Sequence, residues 1–268
     1  MTISLSTRTT LVALTFATLQ LVGCSSTPQD EFAGMTAEKL YAEAKGDAES
    51  GAYERAIKGL ERVEGLAAGT LLAQQAQLDM AHLQWKSGDK AQASTTVERF
   101  IKLNPSSPGL PYAMYLRGLV NFNDDLGFLG VISGQDLSER DQRAARDAWQ
   151  AFKALVEQFP NSPYAEDAKL RMDYIVGTLA QYEVHVARYY LRRGAYVAAA
   201  NRAQAAVEEY QQSPAVEEAL YILVQAYDKL ELTTLKADAE RVLRQNFPNS
   251  AYLSKGLAAR ARPWWQLW

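Results

Sequence analysis

Apolar residues recur at helical spacing through most of the chain, from about residue 36 to residue 248. Alanine, leucine, glutamate, glutamine and arginine dominate this stretch, and alternating apolar and polar runs are nearly absent. A helix returns to the same face every three to four residues, whereas a strand does so every two. The hydrophobic pattern therefore predicts an all-α protein.

A short glycine motif repeats within the helical stretch. The segment GAYERA at 51–56 aligns with GDKAQA at 88–93 and with GAYVAA at 194–199. The first two glycines are 37 positions apart (88 − 51 = 37), close to the roughly 34-residue period of tetratricopeptide repeats. We expect each glycine to end the first helix of a pair in a left-handed conformation, and the small alanines to let the two helices approach closely.

A second marker closes the repeat units. It reads NPSSP at 104–108, FPNSP at 159–163, YQQSP at 210–214 and FPNS at 247–250. We expect the serine of each Ser-Pro to cap the next helix and the proline to take its first position. The acidic pairs Glu166-Asp167 and Glu217-Glu218 would then lie in the first turn, where the helix dipole favours negative charge.

These markers predict a right-handed superhelix of about five tetratricopeptide-like helix pairs, occupying residues 36–262. A C-terminal capping helix at 251–262 would cover the last apolar face. Such a solenoid has a curved groove lined by the first helix of each pair, which suits extended peptides or partner helices. The five predicted pairs span 36–66, 70–104, 110–160, 163–211 and 214–248.

The third pair is lengthened by an insertion at residues 123–139, which contains three glycines and the apolar residues Phe128, Leu129 and Val131. Long loops inside compact arrays are often functional. A functional loop and a spacer both remain open as interpretations of this segment.

The N-terminal segment has the layout of a bacterial lipoprotein signal. Arg8 precedes a mostly apolar run from Thr9 to Val22, which is too short to span a bilayer as a helix. The run ends in Leu21-Val22-Gly23-Cys24, which resembles the bacterial lipobox. We therefore predict a signal peptide at 1–23, an N-acyl and S-diacylglycerol cysteine at Cys24, and a flexible polar tether at 24–35. Firm membrane attachment requires more than one acyl chain, and the predicted N-acyl and S-diacylglycerol groups on Cys24 meet this requirement.

Composition excludes several classes of function. Cys24 is the only cysteine, and the two histidines, His82 and His185, are too few for a histidine-rich metal site. The net charge of −3 gives no bulk attraction to nucleic acid. The chain also lacks a glycine-rich phosphate loop, a G-x-S-x-G motif and an H-E-x-x-H motif. We expect no enzymatic activity, no metal and no cofactor apart from the covalent lipid.

Charge and aromatic residues mark two further features. Residues 30–79 are rich in carboxylates, whereas the charged residues after Arg241 are nearly all basic, which favours two different partner surfaces. A Trp-rich tail at 263–268 contains Trp264, Trp265 and Trp268. It suits a membrane interface, a protein partner or folding back over the last repeat, and these alternatives remain open.

Residues 138–202 resemble the BamD family, also called ComL. The resemblance rests on Ser138-Glu139-Arg140-Asp141, Ala148 to Phe159, FPNSPYAEDA at 159–168, Gln181-Tyr182-Glu183 and above all VARYYLRRGAYVAAANR at 186–202. Together with the lipobox, the repeats and the third-pair insertion, it covers nearly the whole mature chain. The last of these segments is more specific than a generic tetratricopeptide pattern.

The resemblance implies a non-enzymatic scaffold of the outer-membrane β-barrel assembly complex. Such a protein lies on the periplasmic face of the outer membrane and binds the periplasmic domain of the barrel-forming subunit. Accessory lipoproteins, and the signal strands of unfolded outer-membrane proteins, are further implied partners. The candidate contacts to the barrel subunit are the arginines of pair four, Arg188, Arg192, Arg193 and Arg202. The candidate peptide groove lies in the first two pairs, around Tyr41, Tyr53, His82 and Trp85.

Two other hypotheses share part of these features. A lipidated tetratricopeptide pilotin, or an assembly factor for a secretin or pilus, would carry the lipobox and the repeats but not the text at 182–202. A lipid-anchored cell-wall enzyme would need a nucleophile or a metal constellation, which the sequence does not offer.

Overall fold

A computed structural model describes residues 31–122 and 142–257 of the protein. The described ranges contain eleven α-helices and no strand. The signal peptide, Cys24, the insertion at 123–139 and the Trp-rich tail all lie outside these ranges. The helices are α1 (Ala37–Glu49), α2 (Tyr53–Leu66), α3 (Leu71–Lys86), α4 (Lys90–Leu103), α5 (Leu110–Asn121), α6 (Gln142–Gln158), α7 (Ala165–Arg192), α8 (Tyr196–Glu209), α9 (Ala215–Lys229), α10 (Thr233–Asn246) and α11 (Ala251–Lys255).

From α1 to α10 consecutive helices pack against each other, which confirms the predicted all-α, tetratricopeptide-like fold. The first ten helices form five pairs within the predicted ranges. The short α11 begins where the capping helix was predicted, and Leu253 and Leu257 pack against the core of the last two pairs. Among the described residues, the core includes Phe32, which is 9% exposed and lies within the segment assigned to the tether.

The glycine turns have the predicted left-handed backbone. Gly51, Gly88 and Gly194 have φ values of 84°, 89° and 75°. The equivalent turn of pair five has Glu231 instead, with φ at 58°, and this is the one non-glycine residue with positive φ among those described. A side chain in this region clashes with the following carbonyl, so Glu231 is strained where glycine is not.

The Ser-Pro prediction was wrong by one to two residues. Helices α5, α7 and α9 have Gly109, Tyr164 and Pro214 as their N-cap residues, rather than the preceding serines. Each Ser-Pro instead forms a turn ahead of the helix, in which Ser107 and Ser213 Oγ accept from the backbone N–H two residues on. In that turn the serine carbonyl accepts a backbone hydrogen bond from three residues on. Ser250 is followed by alanine and does cap its helix, accepting from the Tyr252 N–H at 3.2 Å.

The acidic pairs lie in the first turns of α7 and α9, as predicted. They face the partial positive charge of the helix N-termini, which stabilises both helix starts.

Two main hydrophobic clusters divide the last three pairs, and α7 belongs to both. Its N-terminal half contributes Ile175 and Leu179 to a cluster with α5 and α6, and its C-terminal half contributes Val184 and Ala187 to a cluster with α8, α9 and α10. With 28 residues α7 is about 42 Å long, twice the length of α8, which has 14 residues. This one helix therefore joins the third pair to the fifth.

Replacing Glu231 by glycine is expected to stabilise the protein. Relief of left-handed strain outweighs the greater entropy of the unfolded chain, for a net gain of a few tenths to about 1 kcal/mol. Urea denaturation followed by circular dichroism measures this change. Gly51→Ala is the matched control with the opposite sign, because no atom lies within 4 Å of an added Cβ there and only backbone strain is introduced. A lower midpoint for Glu231→Gly would contradict the assignment of strain.

Candidate functional site

Tyrosine hydroxyls connect the first helices of successive pairs along one face. The Tyr41 hydroxyl on α1 donates to Asp79 Oδ2 on α3 at 2.6 Å. Asp79 lies one turn from His82, whose Nδ1 is 2.8 Å from the Tyr112 hydroxyl on α5. Tyr115, one turn further along α5, donates to Asp167 Oδ2 on α7. Four first helices are thus joined by three tyrosine contacts, and we call this surface the first-helix face.

Aromatic rings fill the spaces between these hydrogen bonds. The centroids of His82 and Trp85 are 5.5 Å apart, and Tyr164 lies 5.3 Å from Tyr112 and 5.2 Å from Tyr115, stacked on the latter. Ring pairs at these distances are attractive beyond the apolar area they bury. The result is a continuous strip of half-buried aromatic side chains with polar tips.

The protonation states of the strip follow from its burial. Burial and the hydrogen bond to Asp79 raise the pKa of Tyr41, and burial raises the pKa values of Tyr112 and Tyr115. These hydroxyls therefore remain protonated donors at neutral pH. Burial, with the nearby positive charge of Lys86, lowers the pKa of His82. The imidazole is neutral at pH 7, and its Nδ1 can accept a hydrogen bond from the Tyr112 hydroxyl.

Asp167 closes the strip at α7. Burial opposes ionisation of its carboxyl group, but hydrogen bonds from Tyr115 and Arg171 lower its pKa overall. The Arg171 Nε lies 2.6 Å from Asp167 Oδ2, and its guanidinium covers the Phe122 ring at 5.0 Å.

The predicted groove residues fall into two groups. Tyr41, His82 and Trp85 lie on the first-helix face, whereas Tyr53 begins α2, a second helix, and packs against the core of pair one. Sequence reasoning missed Tyr112, Tyr115 and Tyr164. The three-residue spacing of Tyr112 and Tyr115 on a first helix was the available signal.

The predicted arginines of pair four also differ in their surroundings. Arg188 forms an ion pair with Glu218 at 2.6 Å, and the two side chains are only 16% and 8% exposed. Arg202 binds Glu183 Oε2 at 3.1 Å, and its side chain is 47% exposed while that of Glu183 is 6% exposed. Arg188 is therefore enclosed within the body, whereas Arg202 offers solvent a guanidinium that also satisfies a buried carboxylate.

An exposed patch lies where α7 ends and α8 begins. Arg192 and Arg193 are exposed, and the Arg193 guanidinium lies 5.6 Å from the centre of the Tyr189 ring. Tyr189 is 46% exposed and Val197 is 60% exposed. We call Tyr189, Arg192, Arg193 and Val197 the α7–α8 patch, and it combines forked cationic donors with apolar surface.

The structure bears on membrane spanning and on metal binding within the residues that it describes. Within 31–122 and 142–257 no helix is long and apolar enough to cross a bilayer. In the same ranges no group of three or more histidine, cysteine or carboxylate side chains is placed to hold a metal ion. The lipid site at Cys24 and the Trp264, Trp265 and Trp268 tail lie outside these ranges, so their predictions stay untested.

Comparison with known protein families distinguishes between the functional hypotheses that the sequence left open. A family model described as YfiO, outer membrane lipoprotein, matches residues 33–243. The chain belongs to this family. The matched residues include all five helix pairs except the end of α10.

Curated relatives carry a functional name. A protein of Neisseria meningitidis serogroup B, named outer membrane protein assembly factor BamD, is 48% identical over 231 residues, which cover 86% of each chain. Proteins of the same name from Xylella fastidiosa and Vibrio cholerae are 38% and 35% identical, covering 91% and 84% of this chain and 84% and 93% of their own. Among solved structures, an assembly chaperone of RpL4 (Acl4) superimposes with a TM-score of 0.34 at 17% identity, over 80% of this chain and 76% of its own, too low to carry an argument.

The protein is expected to become less stable as the pH is lowered, because the unfolded chain binds a proton at His82 more readily than the folded protein does. The folded-state pKa of His82 is lower than the value of about 6.5 in the unfolded chain, so below that pH the unfolded state takes up the proton more readily. The stabilisation is present above the unfolded-state pKa of about 6.5 and is lost as the pH falls from there through the lower folded-state pKa. Thermal denaturation of the native protein and of His82→Gln at several pH values tests this, with His185 common to both. Parallel pH profiles for the two proteins would contradict it.

Proposed function

We propose that this chain is a non-enzymatic outer-membrane protein assembly factor, a scaffold within the complex that inserts β-barrel proteins. The observation that carries the proposal is the 48% identity over 231 residues to a protein named as such a factor, on a fold of stacked helix pairs. The relatives' name favours this role over the alternative of a pilotin for a secretin or pilus. Stacked helix pairs present extended surfaces to other proteins, which suits a scaffold.

The proposed location is the periplasmic face of the outer membrane, with lipid on Cys24 as the anchor. The family description as an outer membrane lipoprotein supports this, as does the lipobox text before Cys24. The acidic cluster around Arg55 supports a short connection to the membrane. Arg55 pairs with Glu31, Glu43 and Asp47 and covers the Phe32 ring, which holds the chain against the body seven positions after Cys24 (31 − 24 = 7).

The proposed contact with the barrel-forming subunit is the α7–α8 patch together with Arg202. These guanidinium groups are accessible and can form forked hydrogen bonds with carboxylates of a partner domain. Arg188 supports the same surface from within by holding α9 against α7. Accessory lipoproteins are proposed as further partners of the complex.

Charge reversal at Arg193 is expected to weaken co-purification with the barrel subunit by tenfold or more. A charge-assisted hydrogen bond contributes about 1.5–3 kcal/mol, and the arginine has no carboxylate partner shown within the described chain. The measurement is the yield of barrel subunit recovered with tagged Arg193→Glu from detergent-solubilised outer membranes. Full recovery of the barrel subunit would show that Arg193 is not part of the contact.

Arg202 needs a matched control because it also neutralises a buried carboxylate. Arg202→Gln by itself would leave Glu183 buried and unpaired, so Arg202→Gln is combined with Glu183→Gln and compared with Glu183→Gln alone, which breaks the same ion pair but keeps the exposed guanidinium. Binding should be weaker for the double variant than for Glu183→Gln. Equal binding by these two variants would show that the Arg202 guanidinium does not contact the partner.

The first-helix face is the proposed site for signal strands of unfolded barrel proteins. It offers half-buried aromatic rings for apolar side chains, while Lys45, 3.9 Å from Asp79, and Lys86 place positive charge beside it. An extended peptide with aromatic residues and a terminal carboxylate fits this chemistry. Tyr53 supports the face only indirectly, through the core of pair one.

Trp85→Ala is expected to weaken binding of such a peptide by about tenfold, from the loss of about 1–1.5 kcal/mol of aromatic contact. The probe is a synthetic peptide with the sequence of the last strand of an outer-membrane barrel protein, titrated by fluorescence anisotropy. Tyr189→Ala is the control, since it removes an exposed ring from a different surface. Equal affinity for Trp85→Ala and the native protein would exclude Trp85 from the site.

A further inference from the structure

A cleft with an apolar floor lies between the third and fourth helix pairs, and none of its lining residues belongs to either proposed binding surface. It consists of two adjoining depressions of about 270 and 670 Å³ that share Trp149, Val176, Glu209 and Tyr210. Trp149 comes from α6, Val176 from α7, and Tyr210 from the segment that joins α8 to α9. The larger depression lies within the range of roughly 300–1,000 Å³ that is typical of pockets for organic groups.

The rim of this cleft is mainly acidic. Asp173, Glu208 and Glu209 line it and are exposed. One cation, Arg146, also lines the smaller depression, and it bonds the Tyr210 hydroxyl. The cleft thus favours an occupant that combines positive charge with large apolar or aromatic side chains.

Residues 258–268 have this composition. The segment reads AARARPWWQLW and contains two arginines, three tryptophans and no acidic side chain. The charge of the segment complements the rim, and its tryptophans match the floor.

The segment leaves from α11, which packs on Glu218 and Tyr221 of α9. Tyr252 of α11 stacks on Tyr221 at 5.6 Å, and a Cβ at Gly256 would meet the Tyr221 hydroxyl at 2.8 Å. Tyr221 is seven residues after Pro214, which lines the cleft. A seven-residue step returns to the same side of a helix about 10 Å further along.

The segment is also long enough to reach the cleft. Eleven residues follow Leu257 (268 − 257 = 11), and an extended chain of that length spans up to about 36 Å. The Tyr252 hydroxyl donates to Glu218 Oε2 at 3.0 Å, and Glu218 in turn binds Arg188, so α11 is fixed to α7 and α9 where the segment leaves.

We propose that residues 258–268 fold back along α9 and insert their tryptophans into the cleft between pairs three and four. The C-terminal segment then fastens the junction of the third, fourth and fifth pairs from outside and occupies a surface that a cationic, aromatic peptide of another protein would otherwise fill. The inference concerns a surface separate from the proposed contacts with the barrel subunit and with client strands, so it does not depend on them.

Disulfide cross-linking in the full chain tests this arrangement. Cys24→Ser leaves two engineered thiols as the only ones, placed at Gln211→Cys on the rim and Gln266→Cys in the segment. We expect an intrachain disulfide whose rate is independent of protein concentration. The control pair, Lys58→Cys with Gln266→Cys, places the first thiol on α2 of pair one and should react at least about tenfold more slowly, because the effective concentration of the thiols is lower.

Two sets of substitutions then separate the contributions of floor and rim. In the Gln211→Cys and Gln266→Cys background, Trp264→Ala with Trp265→Ala should slow the cross-link, and so should Glu208→Lys with Glu209→Lys, by about fivefold each, equivalent to about 1 kcal/mol. Both glutamates are exposed, so their replacement does not disturb the core.

Three outcomes would overturn the proposal. Equal rates for the rim and control pairs would show that the segment has no preference for the cleft. Interchain disulfides that increase with protein concentration would assign the segment to a second copy of the protein. Loss of the cross-link on adding vesicles of phosphatidylethanolamine and phosphatidylglycerol would assign the tryptophans to the membrane interface.

Discussion

The architecture depends on one long helix whose two halves belong to different cores. Helix α7 supplies apolar side chains to the cluster of pair three and to that of pairs four and five. Two buried carboxylates, Glu183 on α7 and Glu218 on α9, are neutralised by Arg202 on α8 and Arg188 on α7. Because an unpaired buried charge is strongly destabilising, these ion pairs fix how α8 and α9 sit on α7. The position of every later element follows from this helix.

The same helix also closes the first-helix face. Asp167, near its start, accepts the last of the tyrosine hydrogen bonds that run from α1 through α3 and α5. Each bond joins two different pairs, so the strip sets the relative positions of the pairs and prepares a binding surface at once. A surface whose side chains are already held by hydrogen bonds and ring contacts loses less conformational entropy when a ligand binds.

The arginines of pair four show how structural and recognition roles divide along one sequence segment. Arg188 and Arg193 are five positions apart, yet one is enclosed in an ion pair and the other lies exposed over Tyr189. Arg202 has both roles, since it satisfies Glu183 and keeps nearly half of its side chain exposed. The contact proposed for the barrel subunit therefore spans the turn between two helices that the Arg202–Glu183 ion pair holds together.

The sequence by itself determined the all-helical fold, the five pairs and the left-handed glycine turns, because each of these follows from spacing or backbone preference within a few residues. Local reasoning failed at the Ser-Pro turns, where Ser107 and Ser213 hydrogen-bond the backbone within a turn that precedes the helix instead of serving as its N-cap. Only the tertiary structure decided that Tyr112 meets His82 across 30 positions, that Tyr115 meets Asp167 across 52, and that Arg188 is enclosed. These contacts depend on how the pairs stack, and stacking is set by the summed packing of side chains that are distant in the chain.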